Sequence, residues 1–243
     1  TGFEALSTLT ALMYPALRTL CLLLALTCTG KALGQGSLLL VQRNNLYGYA
    51  DSLGKLVIKP RFHLAAPFSE GLASVSVCTD EGWRWGFINE SGAFITEPRF
   101  HDSKSFREGL AGVKVGDKWG FINKKGEMTI DPKLDDEYGV DFVFREGLSA
   151  VIINKKYGYI NAAGKPVIPA DFDFAENFSD GLARVMIGDK AGFIDRAGKI
   201  VIPLKYDRAA RFSEGLGLVN IGWTPGKNTD DPGYNAGKWY YID

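Results

Sequence analysis

A ten-residue phrase, DKWGFINKKG at 117–126, is written repeatedly along this chain. It returns as LYGYADSLGK at 46–55, RWGFINESGA at 84–93, KYGYINAAGK at 156–165 and KAGFIDRAGK at 190–199. Two glycine series set the period. The glycine after the aromatic falls at Gly48, Gly86, Gly120, Gly158 and Gly192, with spacings of 38, 34, 38 and 34. The glycine of F-x-[ED]-G-L falls at Gly71, Gly109, Gly147, Gly181 and Gly215, with spacings of 38, 38, 34 and 34. A fixed period of this size means that the fold is built by stacking copies of one small unit.

Each unit reads as three short strands. Strand a is the WGFIN-like segment, uncharged on both faces, which predicts a central strand covered on both sides. An N/D-x-x-G turn follows: Asn or Asp opens a type I turn and Gly takes the next left-handed position. Strand b is KLVIKP, AFITEP, KPVIP or KIVIP; its proline (Pro60, Pro98, Pro132, Pro169, Pro203) cannot donate to a ladder and is expected to end the strand or mark an edge. A loop with paired aromatics then leads to E-G-L and strand c. There Ala73, Val75 and Val77, or Ala111, Val113 and Val115, alternate with the period of a half-buried strand. The expected fold is all-β, an array of three-stranded c-a-b meanders. Whether it is open and solenoid-like or propeller-like is left undecided by the spacing, although three strands per unit favour the open form over four-stranded propeller blades. The glycine of strand a is expected to let neighbouring units pack closely.

These residues together resemble the WG repeat (KWG repeat) family: the aromatic-Gly pair, the N/D-x-x-G turn, the V-I-P strand end and the F-S-E-G-L-A segment. The resemblance covers about 46–243, as five units and the opening strand of a sixth. It implies a repeat protein of a kind common in bacteria and often exported, and it supplies no catalytic residues. Departures are Ala191 in place of the aromatic, four extra residues within DDEYGVDF at 135–142, and Tyr240 in the glycine position of KWYYID.

The N-terminal part reads differently. Met13 is followed by Arg18, the apolar run LCLLLALTCTG at 20–30, and small residues Ala32 and Gly34 before Gln35. The run has the length of a signal-peptide core and is too short to span a membrane. Residues 1–34 are therefore expected to be a leader, cleaved before Gln35, with residues 35–45 as a linker. The alternative is a buried N-terminal helix. Cys28 lacks the neighbours of a lipid-anchor site. Loss of the leader removes Cys21 and Cys28 and leaves Cys78, so no internal disulfide is expected. The expected location is periplasmic or extracellular, with no membrane span after leader removal.

Charge is balanced, with 28 basic and 28 acidic residues, and there is no basic block, which argues against a nucleic-acid partner. No G-x-S-x-G, P-loop, H-E-x-x-H or dinucleotide fingerprint occurs. His63 and His101 share one repeat position, where other units carry Asp135, Asp173 and Asp207; a turn residue is the favoured reading over a metal pair. Glu70, Glu108, Glu146, Asp180 and Glu214 come once per unit before a glycine, which favours a turn-stabilising role over catalysis. NTDDPG at 228–233 lacks the spacing of a calcium loop. No enzyme, cofactor or metal is expected.

The repeat is broken twice by a longer c-to-a connection, CTDEGWR at 78–84 and GWTPGKNTDDPGYNAGK at 222–238. Trp83, Trp223 and Tyr234 on these extensions are the candidate binding residues, all on one rim, suited to a protein or a cell-envelope glycan. Three other readings stand beside this one: the tryptophans as caps over terminal apolar edges, the whole array as a structural spacer for a further C-terminal part, and, ranked last, a glycan-acting enzyme.

Overall fold

The computed structural model describes residues 38–136, 140–224 and 235–243. The expected leader with its two cysteines, the NTDDPG segment and Tyr234 lie outside the described residues. Among those described, every regular element is a strand, and the strands form six small antiparallel sheets.

The first sheet runs β1 (Leu39–Arg43), β2 (Leu46–Ala50), β3 (Leu56–Phe62). The second is β4 (Leu64–Ala65), β5 (Leu72–Thr79), β6 (Gly82–Asn89), β7 (Phe94–Phe100). The third is β8 (Asp102–Ser103), β9 (Leu110–Val115), β10 (Lys118–Asn123), β11 (Met128–Asp135). The fourth has three strands, β12 (Leu148–Ile153), β13 (Lys156–Asn161) and β14 (Pro166–Phe172). The fifth is β15 (Phe174–Ala175), β16 (Leu182–Ile187), β17 (Lys190–Asp195), β18 (Ile200–Tyr206). The sixth is β19 (Arg208–Ala209), β20 (Gly217–Thr224) and β21 (Asn235–Ile242). The c-a-b meander is thus the frame of each complete unit, with strand a in the middle.

Four features differ from the sequence expectation. A two-residue strand (β4, β8, β15 or β19) adds a fourth member on the far side of strand c, so three strands per unit is a minimum. The first and fourth sheets lack it, and the four-residue insertion lies in the loop that leads into the fourth. Residues 39–43, expected to be linker, are strand c of the first unit; Asn44 and Asn45, at φ 51° and 61°, close a two-residue hairpin into β2. Strand b does not stop at its proline but continues to the buried aromatic beyond it, as in Leu56–Phe62.

The fourth difference concerns the glycine of strand a. In the third sheet Trp119 pairs with Leu134 and Phe121 with Ile130, so Gly120 alone faces the bulged stretch 131–133. A Cβ on Gly120 would lie 2.5 Å from the Ile130 carbonyl oxygen and 2.9 Å from the Pro132 nitrogen. Gly48, Gly86, Gly158 and Gly192 meet the same obstacle, strand b of their own sheet. The glycine therefore makes room for a bulge within the unit, not for the neighbouring unit. The bulge also tolerates the proline, because the ladder asks no N–H of that residue. W-G and V-I-P are two halves of one device.

The units cover one another as expected. Among the described residues five apolar clusters are found, one between each adjacent pair of sheets. At each junction the strand-a aromatic meets the Phe before the E-G turn of the next unit. The pairs are Tyr49–Phe68, Phe87–Phe106, Phe121–Phe144, Tyr159–Phe178 and Phe193–Phe212, with ring centroids 4.7–5.1 Å apart. Where the aromatic is Tyr, its hydroxyl donates to the next unit's loop: Tyr49 to the Ala66 carbonyl at 2.8 Å and Tyr159 to the Glu176 carbonyl at 2.6 Å. Burial raises the pKa of both phenols. On the other face of strand a, Ile88, Ile122, Ile160 and Ile194 are fully buried against the preceding unit.

Candidate functional site

Strand c starts at the E-G turn and ends at the c-to-a turn, so these two turn series occupy opposite ends of the strands. Each series stitches neighbouring units together with carboxylates.

At the E-G end, Glu70, Glu108, Glu146, Asp180 and Glu214 all sit at φ between 53° and 55°, and the glycine after each at φ between 78° and 84°. Positive φ at both central residues makes a tight two-residue hairpin, closed for example by paired bonds between Arg107 and Leu110. A non-glycine residue held there costs about 1–2 kcal/mol. The compensation lies in the next turn. Glu108 accepts from the Glu146 N–H at 2.7 Å and the Gly147 N–H at 2.9 Å. Glu70 accepts from Gly109, Glu146 from Gly181 and Asp180 from Gly215. The expected turn-stabilising role is correct, and the turn stabilised is the following unit's. Glu70 also meets Lys124 at 3.1 Å; burial pushes its carboxyl upward, but Lys124 and the Gly109 N–H outweigh that and lower its pKa.

At the other end the residue after strand b does the same work. Asp173 pairs with Lys156 of its own unit at 2.5 Å and accepts the Gly188 N–H of the next unit's c-to-a turn at 2.7 Å. Asp207 pairs with Lys190 and accepts from the Gly222 and Trp223 N–H groups. Both aspartates are held below the usual carboxylate range, first by the lysine and then by the glycine N–H. His101 takes this position in the second repeat, where its Nδ1 accepts the Gly116 N–H at 3.0 Å. His101 therefore acts as a turn residue, as the sequence reading favoured. His63 packs edge-on against Trp83, with ring centroids 4.6 Å apart. Among the described residues no group of three or more His, Cys, Asp or Glu is placed to hold a metal ion.

The two tryptophans lie on this c-to-a rim. The connection carrying Trp83 is a longer hairpin, not a longer loop: β5 and β6 each run eight residues, and Trp83 pairs across with Cys78. Cys78 is an exposed strand residue without a disulfide. The second extension likewise prolongs the ladder, with Trp223 opposite Ala236. Trp83 rests on His63 and Trp223 under Arg208, whose guanidinium carbon is 3.8 Å from the ring centroid. His63 precedes β4, and Arg208 opens β19, so each ring packs on the entry to the two-residue strand of its own sheet. Trp83 stays 53% exposed. Trp223 forms one wall of a groove of about 510 Å³ between the fifth and sixth sheets, facing Arg184, Met186 and Lys190. A groove of about 500 Å³ recurs between the third and fourth sheets, lined by Asp117, Lys118, Asp135 and Lys155, without a tryptophan. Arg208 was not singled out from the sequence, because it matters only through the ring placed beneath it.

Among the described residues no helix is long and apolar enough to cross a membrane. No curated protein matches the sequence. A solved structure described as the AfRom2 CNH domain is similar at 9% identity and a TM-score of 0.36, over 79% of this chain and 76% of that one. The WG containing repeat matches five times, over residues 47–77, 85–119, 119–157, 157–190 and 192–222, and the chain accordingly belongs to the WG repeat family.

Proposed function

We propose that this chain is an exported binding module without catalytic activity, which engages a protein or a cell-envelope glycan through its c-to-a rim. One observation carries the reading: Trp223, with Arg208 stacked on its ring, walls a groove of about 510 Å³ between two sheets, charged on its other sides. A flat apolar ring beside fixed cations and carboxylates suits a ligand with both a carbon face and polar groups. Trp83 supplies an exposed ring on the same rim.

The spacer reading also has an observation behind it. Both tryptophans already have intramolecular partners, His63 and Arg208, as a cap would. Titrating a panel of peptides and envelope glycans against the tryptophan fluorescence of the wild type, Trp83→Ala and Trp223→Ala separates the two, with melting temperatures measured alongside. Saturable binding that W223A loses at unchanged stability supports the module. A lower melting temperature with no ligand found for any variant supports the spacer. Sustained hydrolysis of a panel member would remove the claim of no catalysis. N-terminal sequencing of protein recovered outside the cytoplasm tests the leader, with Gln35 as the expected first residue.

A further inference from the structure

The E-G end of the strands carries a feature that the rim reading does not use. Three arginines converge there from three different loops that lead into strand c: Arg107, Arg145 and Arg211. Arg107 and Arg145 line a cavity of about 240 Å³ together with Lys104 and Asp141. Asp141 also lines an adjoining cavity of about 120 Å³ with Arg211 and Glu176. Arg184 engages one oxygen of Glu176 at 2.7 Å while its Oε2 is buried without a partner, and Lys104 lies over the Trp119 ring. Glu108 and Glu146, the nearest turn carboxylates, are occupied by the backbone N–H groups of the following turns. Among the described residues none of the three guanidinium groups has a salt bridge or side-chain hydrogen bond, and the Arg145 Nε is buried without any partner.

Proteins rarely leave this arrangement. A buried guanidinium nitrogen without an acceptor costs free energy, and like charges brought together cost more. Burial, then the neighbouring charges of Arg107 and Arg211, lower the pKa of Arg145 below its ordinary value. Four cations, Lys104 among them, and two carboxylates, Asp141 and Glu176, line the two cavities, so among the described residues the seat has a net positive charge. We infer that Arg107, Arg145 and Arg211 form an anion seat for a phosphate group, carried by a small phosphorylated ligand. The cavities lie below the ~300 Å³ typical of drug-sized pockets, which points to a compact group. Guanidinium forks arriving from three loops match a tetrahedral oxyanion, which offers oxygens in several directions, better than a planar carboxylate.

The test uses the full chain and pyrophosphate as the probe, titrated calorimetrically at low ionic strength. The wild type binds saturably, and added salt weakens the binding. Arg145→Gln and Arg211→Gln each weaken it by about tenfold or more, the worth of a charge-assisted hydrogen bond. Without anion, R211Q melts no lower than the wild type, because a repulsion has been removed, and pyrophosphate raises its melting temperature less. Arg208→Gln, on the opposite rim, leaves pyrophosphate binding unchanged, so this seat and the rim groove fail separately. Should R145Q not fold, Arg107→Gln and R211Q alter exposed side chains and decide the matter. Absence of saturable binding, or binding by R107Q and R211Q as tight as that of the wild type, overturns the seat. Tighter binding of citrate than of pyrophosphate overturns its assignment to phosphate.

Discussion

Replacing Gly120 by Ala tests whether the recurring glycine serves the bulge of its own sheet. The added Cβ would sit 2.5 Å from the Ile130 oxygen, 2.9 Å from the Pro132 nitrogen and 3.0 Å from the Asp131 carbonyl carbon. All three are backbone atoms, so no rotamer change relieves the overlap. Strand β11 must move outward by several tenths of an ångström. Overpacking of this kind costs about 1–3 kcal/mol, and weakening the ladder bonds beside it adds about 1 kcal/mol. A total of about 3 kcal/mol corresponds to a fall of about 6–12 °C in melting temperature for an array of this size. Gly109→Ala is the matched control. Its Cβ has nothing within 4 Å, and only its φ of 81° resists the change. That costs about 1 kcal/mol, or about 2–4 °C. Thermal melts followed by circular dichroism give both numbers. Hydrogen exchange then locates the damage, which should centre on β10 and β11 and spare β16 and β17. If G120A melted within about 2 °C of the wild type, or above G109A, the bulge would not be what demands the glycine.

Other outcomes rest on the contacts between units. Glu108→Ala keeps the left-handed turn residue but loses both bonds to the next unit and should lower stability by about 1–2 kcal/mol, while Glu108→Gly, free of the backbone penalty, should lower it less; comparing their melts checks this. Tyr159→Phe removes the 2.6 Å bond to the Glu176 carbonyl and should cost about 1 kcal/mol in urea unfolding. In the wild type, ultraviolet titration should find Tyr159 and Tyr49 resisting ionisation where free tyrosine ionises, since burial raises both pKa values. Asp136, Asp173, Asp207 and Glu70 have folded-state pKa values below their ordinary ones. Their contribution is present above the ordinary carboxylate range and is lost as pH falls through the lowered values, so the melting temperature should drop on acidification below about pH 4. Asn substitution of Asp173 and Asp207 together should flatten that drop.

The order of strands, the doubly covered strand a and the alternation of strand c are local patterns, so they were legible from residues such as Trp119, Phe121 and Val113. The bulge was not, because it pairs Gly120 with residues 131–133 and shows itself only when two strands lie side by side. The short fourth strand carries no periodicity of its own; Leu64 and Ala65 are strand only because β5 lies next to them. Glu108 could be read as a turn residue, but not as a clamp on a turn 38 residues later. The arginine cluster was the least visible. Arg107 and Arg145 follow their phenylalanines, whereas Arg211 precedes Phe212, so no repeat alignment brings them into one column.

The carboxylate that reaches forward to the next turn binds main-chain N–H groups, which every unit offers whatever its side chains. Cohesion then depends on adjacency and not on a particular neighbour's identity. Such a chain can gain or lose whole modules by recombination without redesigning its joints. Pulled from its ends, it should yield as a ladder of similar force peaks, one per module, and not as a single rupture.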